Sequence, residues 1–192
     1  NLGPDVKNML ATKIAVTIYG SSDNVIITAM LGVGAVGLVN NYQMISSKIQ
    51  EFILSIFQAL QASIGNMVYD KDADKGIDFF YALDLLGFYL GLTAAIGMAV
   101  VGQDFILVWL KNQEFQLSFL FLLLLSLNVF ISICNNPMNY FRNTLGHFEC
   151  DRNHMIVAAI INVVLTLLLA LPLGVAGVMI GTVIGHLCIF VG

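Results

Sequence analysis

Asn41, Lys48, Glu51, Ser55 and Gln58 recur at spacings of seven, three, four and three, which sets them along one face of a helix. The chemistry open to such a row is recognition. An ammonium attracts an anionic group, a carboxylate balances it, and amides and a hydroxyl hydrogen-bond around both. Lys48 and Glu51 stand one turn apart and can pair. The segment that holds them is otherwise apolar, and a charge at membrane depth costs roughly 3 kcal/mol or more against lipid. The row is therefore expected to face a bundle interior or a water-filled cavity, with Lys48 as the anion-attracting residue. A structural ion pair with polar packing between helices is the alternative. Asp23 and Asn24, on the preceding apolar segment, are candidates to join the row, at a depth the sequence leaves open.

Other residues point to less. Gly32-Val33-Gly34-Ala35-Val36-Gly37 matches the dinucleotide-binding pattern, but no strand precedes it, and a tight turn between two apolar segments is the better account. His147, Cys150 and His154, with Asp151, have a spacing open to metal ligation, yet a short polar loop explains them as well. Asp84, Asn128, Asn162 and His186 are single polar residues in apolar runs, expected to bond between helices. Gly177, Gly181 and Gly185, like Gly87 and Gly91, step by four and let backbones approach closely. No Ser, His and Asp set stands out, so neither an enzyme nor a cofactor is expected.

The elements that must carry these residues are membrane helices. Of the 192 residues, 58% are hydrophobic and 10% charged, against roughly 25% charged in a soluble domain. Residues 115–133 and 155–171 carry no charge at all. At roughly 30 residues per span and loop, the chain has room for about six spans. They are expected at residues 10–31, 38–64, 79–101, 115–134, 155–171 and 174–192, as one all-α bundle without a dividing linker. Pro137 should end or kink the fourth, with 139–145 as a helical extension closed by Gly146 and 147–154 as a loop. Gly102-Gln103-Asp104 closes the third, and Pro172-Leu173-Gly174 turns the fifth into the sixth. Since the chain begins at Asn1 without Met and stops in an apolar run, a piece of a longer membrane protein is expected.

Basic residues give an orientation. Lys7, Lys13, Lys71, Lys75, Arg142 and Arg152 fall on one side of the expected path, and Lys111 alone falls on the other. By the positive-inside rule the amino terminus is cytoplasmic. There is no basic patch for nucleic acid. Cys134, Cys150 and Cys188 are odd in number, and two of them fall in spans, so they read as small apolar fillers and not as a disulfide framework.

Several segments resemble the polysaccharide flippases of the Wzx type, within the multidrug, oligosaccharidyl-lipid and polysaccharide exporter superfamily. Residues 21–27, Ser-Ser-Asp-Asn-Val-Ile-Ile, look like the first helix of that family's second bundle. Residues 36–42 are similar to the opening of the next helix, and 62–66 to its cytoplasmic end. The most specific stretch is Tyr140-Phe141-Arg142-Asn143-Thr144-Leu145-Gly146, followed by Ala159-Ile160-Ile161-Asn162 and then Gly174 through Thr182. The loop Glu149-Cys150-Asp151-Arg152 departs from the pattern in being less basic, which weakens a substrate-capture role for it.

The resemblance implies the second of two helical bundles in a bacterial cytoplasmic-membrane exporter, the first bundle lying outside this sequence. It also implies the substrate: a short oligosaccharide on an undecaprenyl diphosphate carrier, moved between leaflets by alternating access for surface polysaccharide assembly. Lys48 would then offset diphosphate charge, with Asn41, Gln58 and Asn24 bonding to sugar or phosphate. A multidrug or lipid II exporter of the same superfamily, or a nontransporting scaffold in glycan assembly, would share these helices. Asp23 and Glu51 could carry a proton, help bind sodium, or do neither.

Overall fold

A computed structural model describes the backbone of Thr17 and of residues 22–69, 73–145 and 148–191, with side chains over 22–60, 76–141 and 155–188. Among the described residues the chain is all-helical. In order they form α1 (Ser22–Leu31), α2 (Val33–Tyr69), α3 (Ala73–Leu110), a short 3-10 turn (Gln113–Phe115), α4 (Phe119–Cys134), α5 (Asn136–Leu145) and α6 (Phe148–Val191). Three helical stretches are long and apolar enough to cross a membrane: Gly76–Leu110, Phe119–Phe141 and Met155–Cys188. Their outer faces carry large apolar groups. On α3, Phe88, Leu92, Ile96 and Val100 step by four and are all exposed, a stripe that water would penalise and lipid would not.

Punctuation residues explain most boundaries. Gly32, at φ 91°, is the break between α1 and α2, a conformation that side chains with a Cβ resist. The expected Gly32–Gly37 turn is thereby shortened to one residue, and Gly34 and Gly37 lie inside α2. Ser118 caps α4 by accepting a 3.3 Å bond from the Phe121 N–H. α4 ends at Cys134, and Pro137 sits in the first turn of α5, where its missing N–H costs little. Lys111, at φ 53°, closes α3 by donating its N–H to Leu107 O at 2.8 Å.

Two boundaries correct the sequence reading. α3 does not close at Gly102-Gln103-Asp104 but runs on to Leu110, because Gly102 and Gln103 serve packing and bonding instead of a turn. Residues 148–154 are helix and not loop, since α6 begins at Phe148. Of the first expected span, α1 is the described part, with Thr17; Gly146 and His147 lie outside the described residues.

α6 is not one rod. Gly174 takes φ 59° and ψ −142°, outside helical geometry and open in practice only to glycine, two residues after Pro172. In a straight helix Asn162 and Gly181 would stand about 28 Å apart. Here a Cβ placed on Gly181 would lie 3.1 Å from Asn162 O and 2.6 Å from Thr166 Oγ1, and one on Gly177 would run into the Leu169 carbonyl. The two arms of α6 thus fold back on each other at the expected Pro172-Leu173-Gly174 turn, with glycines where their backbones touch.

The core lies where α2, α3, α4 and α6 meet, around Tyr42, Phe57, Ile106, Phe121, Val129 and Val178. α3 and α4 form the most extensive pair. Small residues of α3 admit α4 and α5: Gly87 faces Pro137, Gly91 faces Phe130 and Ile133, and Gly102 faces Leu122.

Candidate functional site

The Lys48 row stands on α2 but not in the interior of this bundle. Lys48 and Glu51 side chains are 70% and 60% exposed and pair with each other at 2.7 Å. Asn41 is half-buried and Ser55 exposed, the latter donating its hydroxyl to Phe52 O of its own helix at 2.6 Å. Gln58 is exposed and hydrogen-bonded to Tyr140 of α5. The row therefore faces outward from the described helices, with its charges satisfied along one helix.

Beside it runs a groove of about 730 Å³ between α2 and α3, walled by Met44, Ile49, Phe52, Leu90, Phe105 and Trp109 among others. Lys48 is the one ionisable residue on its wall. Its chemistry is amphipathic: an apolar wall with a single ion pair at the edge.

Asp23 lies elsewhere. It is 8% exposed, and Thr182 Oγ1 donates to its Oδ2 at 2.6 Å. Thr182 in turn accepts from Asn162 Nδ2 at 3.3 Å, and Ser22 donates to Asn162 Oδ1 at 3.3 Å. α1 and both arms of α6 thus meet in a buried polar cluster. Its geometry depends on the Gly174 reversal and on Gly181, next to Thr182, which leaves room for Thr166. Asn24 is half-buried, and Thr28 donates to its backbone carbonyl at 2.7 Å. No hydrogen bond among the described residues joins Asp23 or Asn24 to the Lys48 row. Measured along the helices from Gly32, Asp23 is about 14 Å away and Lys48 about 24 Å.

The lone polar residues largely bond between helices, as expected. Asn128 Nδ2 meets His186 Nδ1 at 2.9 Å, tying α4 to α6, and Asn162 holds the two α6 arms together. Asp84 is exposed, on the rim of a second cavity of about 420 Å³ with Phe88, Phe130 and Cys134. Cys134 and Cys188 are free thiols. The glycine pattern at 32–37 has no strand before it among the described residues and is mostly helix, so the turn a pyrophosphate needs is not formed. The side chains of His147, Cys150, Asp151 and His154 lie outside the described residues.

Sequence reasoning missed one polar knot. Buried Tyr42 donates its hydroxyl to Gln103 Oε1 at 3.0 Å and accepts from the Leu117 N–H at 3.0 Å. Gln103 donates to Leu117 O at 2.8 Å, and Gln116 donates to Gln103 O at 3.2 Å. Thr166 and Thr182 were also missed as site residues, although Asn162 and Thr166 are an i, i+4 pair that places two polar groups on one face of the first arm.

Comparison of the chain with protein families, with characterised proteins and with solved structures finds no match.

Proposed function

We propose that the chain is one six-span bundle of a bacterial cytoplasmic-membrane exporter that moves lipid-linked oligosaccharide repeat units between leaflets by alternating access. The reading is non-enzymatic. The observation that carries it is the outward-facing Lys48–Glu51 pair on a helix whose neighbours are apolar. Ionised groups at membrane depth call for water or protein beside them. A cavity shared with a second bundle supplies both, and two bundles rocking about such a cavity expose it to each side in turn. The fold-back at Gly174 supports counting α6 as two spans. Residues 10–31 and the long, more polar α2 supply the others.

In this scheme the diphosphate of an undecaprenyl-linked glycan meets Lys48, and Asn41 and Gln58 bond to sugar or phosphate. The carrier's tail stays in lipid, and the amino terminus of the chain faces the cytoplasm. Likeness of segments to the Wzx-type flippases supports the choice of substrate. The test is Lys48→Ala in the full-length protein, with expression matched to wild type. Surface polysaccharide export is expected to fall at least about tenfold, the scale of one lost charge contact. Unchanged export would overturn the role given to Lys48.

A scaffold reading is favoured by one observation, the 2.7 Å closure of the Lys48–Glu51 pair upon itself. It requires that an apolar pair at both positions retain function. Export of a labelled drug, or rescue of lipid II translocation, would redirect the substrate to those relatives.

A further inference from the structure

Asp84 sits at one edge of the second cavity, a space of about 420 Å³ between α3, α4 and the end of α6. Its carboxylate is exposed, and among the described residues no hydrogen bond or ion pair engages it; the one Lys or Arg ion pair there is Lys48–Glu51, on α2. Its depth follows from α3 itself. Asp84 and Asp104 are both exposed and stand twenty residues apart with no charge between them. Twenty helical residues span roughly 30 Å, the thickness of a bilayer's hydrocarbon core. Asp84 is therefore at one membrane boundary, level with lipid headgroups.

From that boundary the cavity runs inward and turns apolar. α4 lies antiparallel to α3, with Pro137 against Gly87 and Leu122 against Gly102. Cys134 is thus on the Asp84 side, and Leu127 lies roughly 10 Å deeper along α4. Phe88 is one turn inward from Asp84, and its ring meets that of Phe130 at 78° with centroids 5.7 Å apart. Phe88, Leu127 and Leu187 are exposed, so the cavity opens outward on the face that carries the apolar stripe of α3.

We propose that this cavity binds a phospholipid with a primary-amine headgroup, its ammonium on Asp84 and one acyl chain along Phe88, Phe130 and Leu127. A carboxylate at headgroup depth repels anionic headgroups and attracts cationic ones. A primary ammonium also donates charge-assisted hydrogen bonds to it, which the methylated ammonium of choline cannot do. The aromatic rings beside it add attraction for a cation. The order of the lining, charged at the boundary and apolar within, is the order of groups along a lipid. The volume is that of a small-molecule pocket, in the range of roughly 300–1,000 Å³.

The site stands apart from the transport reading, because binding is measured without export. The full-length protein, delipidated in detergent, is titrated with dioleoylphosphatidylethanolamine, and the lipid-bound fraction is read by native mass spectrometry. Saturable binding of one lipid per chain is expected, with the choline and glycerol headgroups on the same chains binding at least about fivefold more weakly. Asp84→Asn should reduce the ethanolamine lipid to the level of the choline lipid, and Asp104→Asn, at the other boundary, should leave the preference intact. Should Asp84→Asn fail to fold, Leu127→Trp, at an exposed position, fills the apolar end and should weaken binding at least about fivefold. Equal binding of the ethanolamine and choline lipids by wild type, a preference retained by Asp84→Asn, or undiminished binding by Leu127→Trp would overturn the proposal. So would displacement of the lipid by free phosphoethanolamine, which would assign the site to a soluble amine.

Discussion

The Lys48–Glu51 pair on α2 and the Asp23 cluster between α1 and α6 are both polar islands in an apolar chain, yet they are held in opposite ways. Lys48 and Glu51 are three residues apart, exposed, and satisfied by each other at 2.7 Å. Asp23 is buried and depends on Thr182, 159 residues away, which depends on Asn162. The first island belongs to one helix and survives any rearrangement of the bundle. The second exists only while the bundle is closed around it. Surface ion pairs are worth about 0–1 kcal/mol, so conformation can hardly be governed from α2.

Gly181→Val breaks the second island most directly. Its branches would meet Thr166 N, 3.0 Å from the Cβ position, and Asn162 O, and backbone cannot step aside as a side chain can. A loss of about 3 kcal/mol is expected in denaturant unfolding of the purified protein, with the two α6 arms forced apart. Gly174→Ala follows, at about 2 kcal/mol, because alanine must be held at φ 59°, ψ −142°. Its smaller cost reflects strain without collision, there being no atom within 4 Å of the added methyl. The smallest effect on stability belongs to the double replacement Lys48→Met with Glu51→Leu, which should stay within about 0.5 kcal/mol of wild type. The same double variant should lose export. Export retained at wild-type level would make the α2 pair structural and erase the functional half of the contrast.

What could be read from the chain was what depends on neighbours in sequence. Pro137 marks the end of α4, Pro172-Leu173-Gly174 marks the reversal of α6, and the Gly87–Gly91 and Gly177–Gly181 steps mark close backbone contacts, each through local sterics. The lone Asn128, Asn162 and His186 declared themselves because a polar group in an apolar run must find a partner. Which partner was not legible, since the Asn128–His186 and Asp23–Thr182 bonds span 58 and 159 residues. Gly102 misled for the same reason: its contact with Leu122 of α4 outweighs a cost of about 1 kcal/mol for a helical glycine. Sequence adjacency of α1 and α2 makes Asp23 a candidate for the Lys48 row, whereas its hydrogen bond runs to Thr182 of α6.

The Tyr42 knot has a mechanical consequence. Drawing α2 away from the α3–α4 junction breaks two hydrogen bonds of the Tyr42 hydroxyl together, about 1–3 kcal/mol at usual net values. Tyr42 also wedges edge-on against Phe121 of α4, with ring centroids 5.7 Å apart. Helices α2, α3 and α4 are thereby riveted into a single lever arm. Gly32, with φ 91° and open space around its Cα, is the unriveted joint at one end of that lever.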